Sequence, residues 1–366
     1  DNIFFTKITI YFIMKKIKKE LILFMPSIEG GGVEKNLFIL SNFFAKKIKR
    51  IKLITYDNSF SSNFDKNIKI ISSKKKSSGE SKYYKYMVCL WLLIKQFISN
   101  KNILVFAFQA NIYCLILSKL LNFNVIVRSN SSPSGWSNNF LKNFIFKIFF
   151  NCSKEIIVNS FEFKKQLDRK FATNCKVIYN PLNLKEIKKK SQEKFKLQIF
   201  KKKNCLKFIN IARFTDQKDH MTLLQSFKNI SNKINFELLI MGYGTNYSKI
   251  KNFIKKNNLK DKIKIIGFQK NPYKFLKKSN VLVLTSLYEG LPNVLLEAMA
   301  LKKFVISSDC PTGPKEILNY GKYGYLFKMK STKDLEKKIL KLSNKKKIKN
   351  MIRLGYKNLD RFDYNK

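Results

Sequence analysis

Short runs of apolar, often β-branched residues alternate with segments of helical periodicity along most of the chain. The runs Leu21–Met25, Ile51–Thr55, Ile68–Ile71, Ile103–Phe106, Val125–Arg128 and Glu155–Val158 are interleaved with amphipathic stretches such as Val33–Lys47, Tyr83–Ile98 and Ser160–Lys170. This alternation predicts α/β layers around a parallel sheet. A second series repeats the pattern, with strands expected at Leu206–Ile211, Glu237–Met241, Ile263–Ile266, Val281–Thr285, Phe304–Ser307 and Tyr325–Phe327. Between the two series, Val177-Ile178-Tyr179 ends at Asn180-Pro181 and a lysine-rich stretch, Lys185–Lys203, follows. We place the domain boundary there, giving domains over 1–182 and 183–345, as a chain of 366 residues favours. The basic helix expected over 346–366 has no following strand to cover and is predicted to pack back on the amino-terminal domain. Residues 1–13 precede Met14-Lys15-Lys16 and are expected to lie outside the fold.

The formal charge is +49, from 73 Lys+Arg against 24 Asp+Glu. Only six of those cations are Arg (50, 128, 169, 213, 353 and 361), whereas proteins that read nucleic acid favour the planar fork of Arg. Nucleic acid is therefore not expected as a partner. The lysine excess reads mainly as composition, and the partner class it best suits is an anionic membrane surface, contacted peripherally. With 45% hydrophobic and 14% aromatic residues the chain can build cores, which excludes a disordered basic tail. Six scattered cysteines form no C-x-x-C pair, so neither a zinc site nor a disulfide framework is expected, and a reducing cytoplasmic compartment is. The longest uncharged stretch, Asn102–Ser118, is shorter than the roughly 20 apolar residues a spanning helix needs. The segment Phe140–Phe150 is more apolar than one core-facing side requires. It is either buried or lies in the headgroup region of a membrane.

In an open parallel sheet, ligands bind beyond the carboxyl ends of the strands. After Leu206–Ile211, Arg213 and Lys218 flank a loop that enters a helix at His220, so both can converge on one diphosphate. A pair of solvated cations is the competing reading, stronger for Lys218 than for the scarcer Arg213. After Val281–Thr285 comes Ser286-Leu287-Tyr288-Glu289-Gly290-Leu291-Pro292-Asn293, with Glu297 further along the helix. Pro292 suits a first helical turn. The free amides of Gly290, Leu291 and Asn293, together with the helix dipole, form an anion site. Carboxylates beside a phosphate site would repel it, so Glu289 and Glu297 are expected to accept hydrogen bonds from neutral hydroxyls. Hydroxyls flanking a diphosphate describe a nucleotide sugar. Glu297 as an exposed helix residue and Glu289 as a dipole partner remain open alternatives.

These segments resemble the retaining glycosyltransferases of family 4, which have the GT-B fold of two Rossmann-like domains whose parallel sheets face each other across a cleft. Glu289-Gly290-Leu291-Pro292 through Glu297-Ala298-Met299-Ala300 is similar to that family's E-x7-E signature. The run 212–220 resembles its donor diphosphate segment, Asp309–Ile317 the loop that follows, Gly30-Gly31-Gly32-Val33-Glu34 its amino-terminal glycine-rich loop and Asn180-Pro181 its hinge. The resemblance implies that Arg213 and Lys218 hold the donor diphosphate, Glu289 the transferred sugar and Glu297 the ribose. It also implies that Gly290, Leu291, Pro292, Asn293, Gly31 and Gly32 line the donor site and that Phe268 faces the base. No metal and no cofactor are implied beyond the nucleotide-sugar donor.

Three departures stand out. Lys302-Lys303-Phe304 replaces a usual G-x-P, and the lone His220 lies in the carboxy-terminal half rather than near the sugar. Gln109 or Asn111 would stand in for that histidine, and neither is a base. His220 itself is expected to open a helix. Arg128, after an amino-terminal strand, is placed with Gln109 and Asn111 on the acceptor side, in a segment running on to Ser131-Ser132-Pro133. The expected function is transfer of a hexose or N-acetylhexosamine from a UDP-sugar to a bacterial surface glycan, lipid-linked or of lipopolysaccharide type. The alternatives are a non-catalytic membrane- or polyanion-binding protein and a sugar-nucleotide epimerase on the same fold.

Overall fold

The computed structural model describes residues 19–74, 79–130, 140–195 and 199–363. Residues 1–13 and the loop Ser131–Pro133 lie outside that set. The chain divides into two units, 1–181 and 182–366.

The first unit holds one parallel sheet of seven strands in the order β3-β2-β1-β4-β5-β6-β7. Its strands are β1 (Glu20–Phe24), β2 (Ile51–Ile54), β3 (Lys69–Ile71), β4 (Ile103–Ala107), β5 (Asn124–Arg128), β6 (Glu155–Val158) and β7 (Lys176–Val177). The apolar runs are strands because both sheet faces are covered, so side chains of either parity can be apolar. One face packs on α1 (Gly32–Ala45) through Leu37, Leu40 and Phe44. The other carries α2 (Lys82–Ser99), α3 (Asn111–Leu121), α4 (Phe140–Asn151) and α5 (Phe161–Phe171). The last is typical of the set: the Ser160 hydroxyl caps it by accepting the Phe163 N–H at 3.2 Å, and Phe163, Leu167 and Phe171, four residues apart, are fully buried.

The second unit holds six parallel strands in the order β10-β9-β8-β11-β12-β13. They are β8 (Leu206–Ile211), β9 (Phe236–Met241), β10 (Ile263–Ile266), β11 (Val281–Leu284), β12 (Phe304–Ser308) and β13 (Tyr325–Phe327). Helices α6 (Leu184–Ser191), α7 (His220–Asn229), α8 (Tyr247–Lys256), α9 (Tyr273–Lys278), α10 (Asn293–Ala300), α11 (Pro314–Ile317), α12 (Thr332–Leu340) and α13 (Lys345–Lys357) surround them. The strand order reverses between β8 and β11, which is where an open parallel sheet binds its ligand. In the first unit the equivalent reversal lies between β1 and β4.

Two features differ from the sequence reading. The lysine-rich boundary stretch begins with a helix, α6, which buries Ile187 and packs on α9 and α10. Pro292 is the residue that caps α10 rather than its first helical residue. The carboxy-terminal helix α13, read as having no following strand to cover, puts Met351, Ile348 and Ile352 into the second unit's core. Gly355 explains how closely it docks, since a Cβ there would stand 3.1 Å from the Met299 side chain and 3.2 Å from that of Tyr323. Beyond α13 the chain returns to the start of the unit, where Leu182 N–H donates to the Phe362 carbonyl at 2.8 Å and Leu182 bridges Asp363.

Candidate active site

At the reversal point of the second sheet, the loop after β8 meets the loop after β11. Lys218 Nζ lies 2.5 Å from Glu289 Oε1, and the same oxygen accepts the Ser286 hydroxyl at 2.6 Å. Both partners of the ion pair are nearly enclosed, with side chains 13% and 10% exposed. In such surroundings the attraction is less screened than at a surface. The backbones are fastened too: Thr285 Oγ1 donates to the Lys218 carbonyl (2.8 Å), Gln217 Nε2 to the Tyr288 carbonyl (2.8 Å) and Leu287 N–H to the Gln217 carbonyl (2.8 Å). A third loop, after β12, closes on the second. Thr312 Oγ1 donates to the Glu289 carbonyl at 2.5 Å, and a Cβ on Gly313, whose φ is +81°, would stand 2.3 Å from the Gly290 carbonyl oxygen. Gly313 is thus required both for its left-handed backbone and for that approach.

Glu297, on α10, is buried, and its Oε1 accepts the Tyr273 hydroxyl at 3.1 Å. Burial and then the Glu297 carboxylate push the Tyr273 hydroxyl well above its usual pKa, so it stays a donor. Glu297 is therefore oriented from α9 rather than standing exposed on its helix. Arg213 is exposed, and its guanidinium makes no hydrogen bond or ion pair among the described residues. Phe268, at the end of β10, is half exposed and sits edge-on to Tyr243, with ring centroids 5.7 Å apart. Lys302, in the position of the missing glycine, has φ +55°, the left-handed conformation that favours glycine.

Sequence reasoning missed Gly242 and Gly244, in the loop after β9. A Cβ on Gly242 would overlap the Ala212 carbonyl oxygen, and one on Gly244 (φ +144°) would stand 2.5 Å from the Phe214 carbonyl oxygen. These glycines let the β9 loop press against the loop that carries Arg213 and Lys218. The signal was the short Gly-Tyr-Gly after an apolar strand.

His220 opens α7, as expected, and is 3% exposed with its ring edge-on to Phe214 at 5.2 Å. Neither ring nitrogen has a hydrogen-bond partner among the described residues. Burial, reinforced by the Lys218 charge, lowers its pKa from 6.5 to about 4. The unfolded chain therefore binds a proton between these values that the folded chain rejects. Stability is complete above the unfolded value and is lost as pH falls toward the folded one. We expect the stability of wild type relative to His220→Leu to fall by up to about 3 kcal/mol between pH 7 and pH 4. Denaturant titrations across that range would show it, and a constant difference would contradict it.

In the first unit, the glycine-rich loop and Gln109 also flank the sheet's reversal point. Ser27 N–H donates to Gln109 Oε1 at 3.0 Å, tying the end of β1 to that of β4. Gly31 caps α1, and the Glu34 carboxylate lies against it, 2.8 Å from where a Cβ would be. The Glu29 N–H also donates to Glu34 Oε1 at 3.5 Å, so the loop already holds an anion of the chain itself. Asn111 Nδ2 donates to the Arg128 carbonyl at 3.1 Å. Arg128 is 1% exposed, and its guanidinium donates to the Ile178 carbonyl (3.2 Å) and Asn180 Oδ1 (3.0 Å). Burial lowers its pKa to about 10, which leaves it charged at neutral pH. Its side chain anchors the segment leading to Pro181 and does not reach solvent. Among the described residues no group of His, Cys, Asp and Glu has the arrangement of a metal site, and no helix is long and apolar enough to cross a membrane.

Two doubly wound parallel sheets, the second with a basic loop and two buried glutamates at its reversal point, are the architecture of a GT-B glycosyltransferase. Comparison with known proteins agrees. The profile of the family described as glycosyl transferases group 1 matches residues 189–358. Two uncharacterised glycosyltransferases of Methanocaldococcus jannaschii are similar. One is 30% identical over 315 residues, 83% of each chain. The other is 38% identical over 234 residues, 58% of this chain and 57% of its own length. A Campylobacter jejuni N-acetylgalactosamine-N,N'-diacetylbacillosaminyl-diphospho-undecaprenol 4-alpha-N-acetylgalactosaminyltransferase is 25% identical over 322 residues, 84% of this chain and 86% of its own. The crystal structure of Anabaena HepE in complex with UDP-glucose superposes with a TM-score of 0.75 at 16% identity, covering 94% of this chain and 96% of that one. The chain belongs to the group 1 glycosyltransferase family.

Proposed function

We propose that the protein moves a hexose or N-acetylhexosamine from a UDP-sugar to a lipid-linked or lipopolysaccharide-type glycan, with retention at the anomeric carbon and without a metal ion. The observation that carries the reading is the enclosed Lys218–Glu289–Ser286 cluster at the sheet reversal point, with Arg213 on the same loop as Lys218. When the donor enters, the ion pair exchanges partners: Lys218 turns to the diphosphate, and Glu289 accepts hydrogen bonds from the sugar. The bond from the anomeric carbon to the diphosphate oxygen then breaks as the acceptor oxygen attacks from the same face. The acceptor proton passes to a phosphate oxygen of the departing UDP, so no protein base is needed. His220, buried and neutral at pH 7, is not in a position to serve as one. Arg213, Lys218 and the amino terminus of α10 stabilise the charge that develops on UDP. Glu297, held by Tyr273, takes the ribose hydroxyls, and Phe268 lies toward the base.

The family membership and the undecaprenol-linked acceptor of the Campylobacter relative support this choice of chemistry. The test is incubation of a panel of nucleotide sugars with membrane lipid extract, read by mass shift of the lipid glycan and by the anomeric proton coupling of the product. We expect an α-linked product from an α-linked donor and a rate that EDTA leaves unchanged. Inversion would refute the mechanism. Isomerisation of the donor without acceptor would make the protein an epimerase, and absence of any UDP binding at millimolar concentration would make it a non-catalytic binder.

A further inference from the structure

Three successive helices on one face of the first unit's sheet are apolar on two sides. In α4, Phe146, Phe149 and Phe150 pack into the core, while Phe140, Leu141 and Phe144 on the other side are 85%, 66% and 53% exposed. In α2, Cys89 and Leu93 are buried, whereas Tyr84, Met87 and Trp91 form a stripe at helical spacing that is 54–65% exposed. Between them α3 buries Leu115 and leaves Leu120 75% exposed. The segment Phe140–Phe150, read as either buried or in a headgroup region, thus has one side in the core and one side exposed. Exposed apolar surface repeated over adjacent helices marks an interaction face.

The charge around this face selects the partner. No Asp or Glu occurs between Glu80 and Glu155, whereas the chain average of 24 in 366 would place about five there. Lysine richness is a property of the whole chain, but this absence of carboxylates is local. Lys85, Lys95, Lys119 and Lys147 are therefore left without acidic neighbours in sequence. Lys95 lies 3.5 Å over the Trp91 ring, its stem along the apolar stripe. Protein interfaces are depleted in lysine, and a second copy of this face would bring like charges together. Aromatic and aliphatic side chains ringed by uncompensated lysines suit a sheet of acyl chains beneath phosphate headgroups. We propose that the outer face of α2, α3 and α4 docks on an anionic lipid bilayer. The proposal concerns a surface rather than the reaction and does not depend on transfer activity.

It is tested by flotation with vesicles of phosphatidylglycerol in phosphatidylcholine, against phosphatidylcholine alone, using full-length protein. The chain has two tryptophans, so Trp136→Phe leaves Trp91 as the only indole. We expect binding to the anionic vesicles, a blue shift of Trp91 emission, and a partition coefficient at least about tenfold lower for the double variant Met87→Glu, Phe144→Glu. Both sites are exposed, so the fold should tolerate the change. A charge control, Lys345→Glu with Lys346→Glu and Lys349→Glu on the second unit, should keep most of the binding. The proposal fails if wild type does not float, if the control loses as much binding as the face variant, or if sedimentation shows self-association that Phe144→Glu abolishes.

Discussion

Arg213→Ala should lower the rate of sugar transfer about 100-fold or more while leaving the melting temperature unchanged. Arg213 is exposed, and its guanidinium makes no hydrogen bond or ion pair among the described residues. Its loss is therefore felt only when a diphosphate is present. Glu289→Ala should cost a similar factor in rate but also destabilise the protein, by about 1–3 kcal/mol. It strands the Lys218 ammonium and removes the acceptor of the Ser286 hydroxyl. Glu289→Gln, which can still accept from Ser286, should recover part of the stability and little of the rate. Steady-state kinetics beside thermal unfolding separate these outcomes. Wild-type turnover in Arg213→Ala would remove the diphosphate assignment.

Gly242→Ala should be the more damaging change, although the added atom is a single methyl. The new Cβ would overlap the Ala212 carbonyl oxygen, and a backbone atom cannot rotate out of the way as a side-chain tip can. The loop from Ala212 to Asp219 must shift, and it carries Arg213, Lys218 and the Asp219 cap of α7. We expect a loss of about 2–4 kcal/mol in stability together with loss of measurable UDP binding. Gly267→Ala is the matched control, since no heavy atom lies within 4 Å of its added Cβ, and its stability should match wild type. Equal unfolding midpoints for the two variants would contradict the packing described for the β9 loop.

Most of the fold was legible because its strands are buried on both faces. Runs such as Val281–Leu284 and Phe304–Ser307 stand out when loops around them hold Gly, Pro, Asn and Lys. Helix α6 was not legible because only Ile187 marks its inner side among lysines, and its pairing of Lys190 with Glu186 at 2.6 Å is weak as a sequence signal. The docking of α13 depends on Gly355 fitting against Met299 and Tyr323, a tertiary fit that periodicity does not encode.

For the site, residue types and strand-end positions pointed to Arg213, Lys218, Glu289 and Glu297. The reading did not foresee that Lys218 and Glu289, 71 residues apart, neutralise each other, because loop convergence is set by strand order rather than by spacing. It also took Arg128 for a residue open to ligand. An arginine that follows a strand reads the same whether it faces solvent or, as here, the carbonyl of Ile178.

The pairing of Leu182 with Asp363 means that the second unit begins and ends at one point in space. A stretch of chain whose ends already touch is, in topological terms, nearly a ring. Its ends could be joined by a short linker and new ones opened in another surface loop without moving any strand. The whole Lys218–Glu289 cluster lies inside that ring.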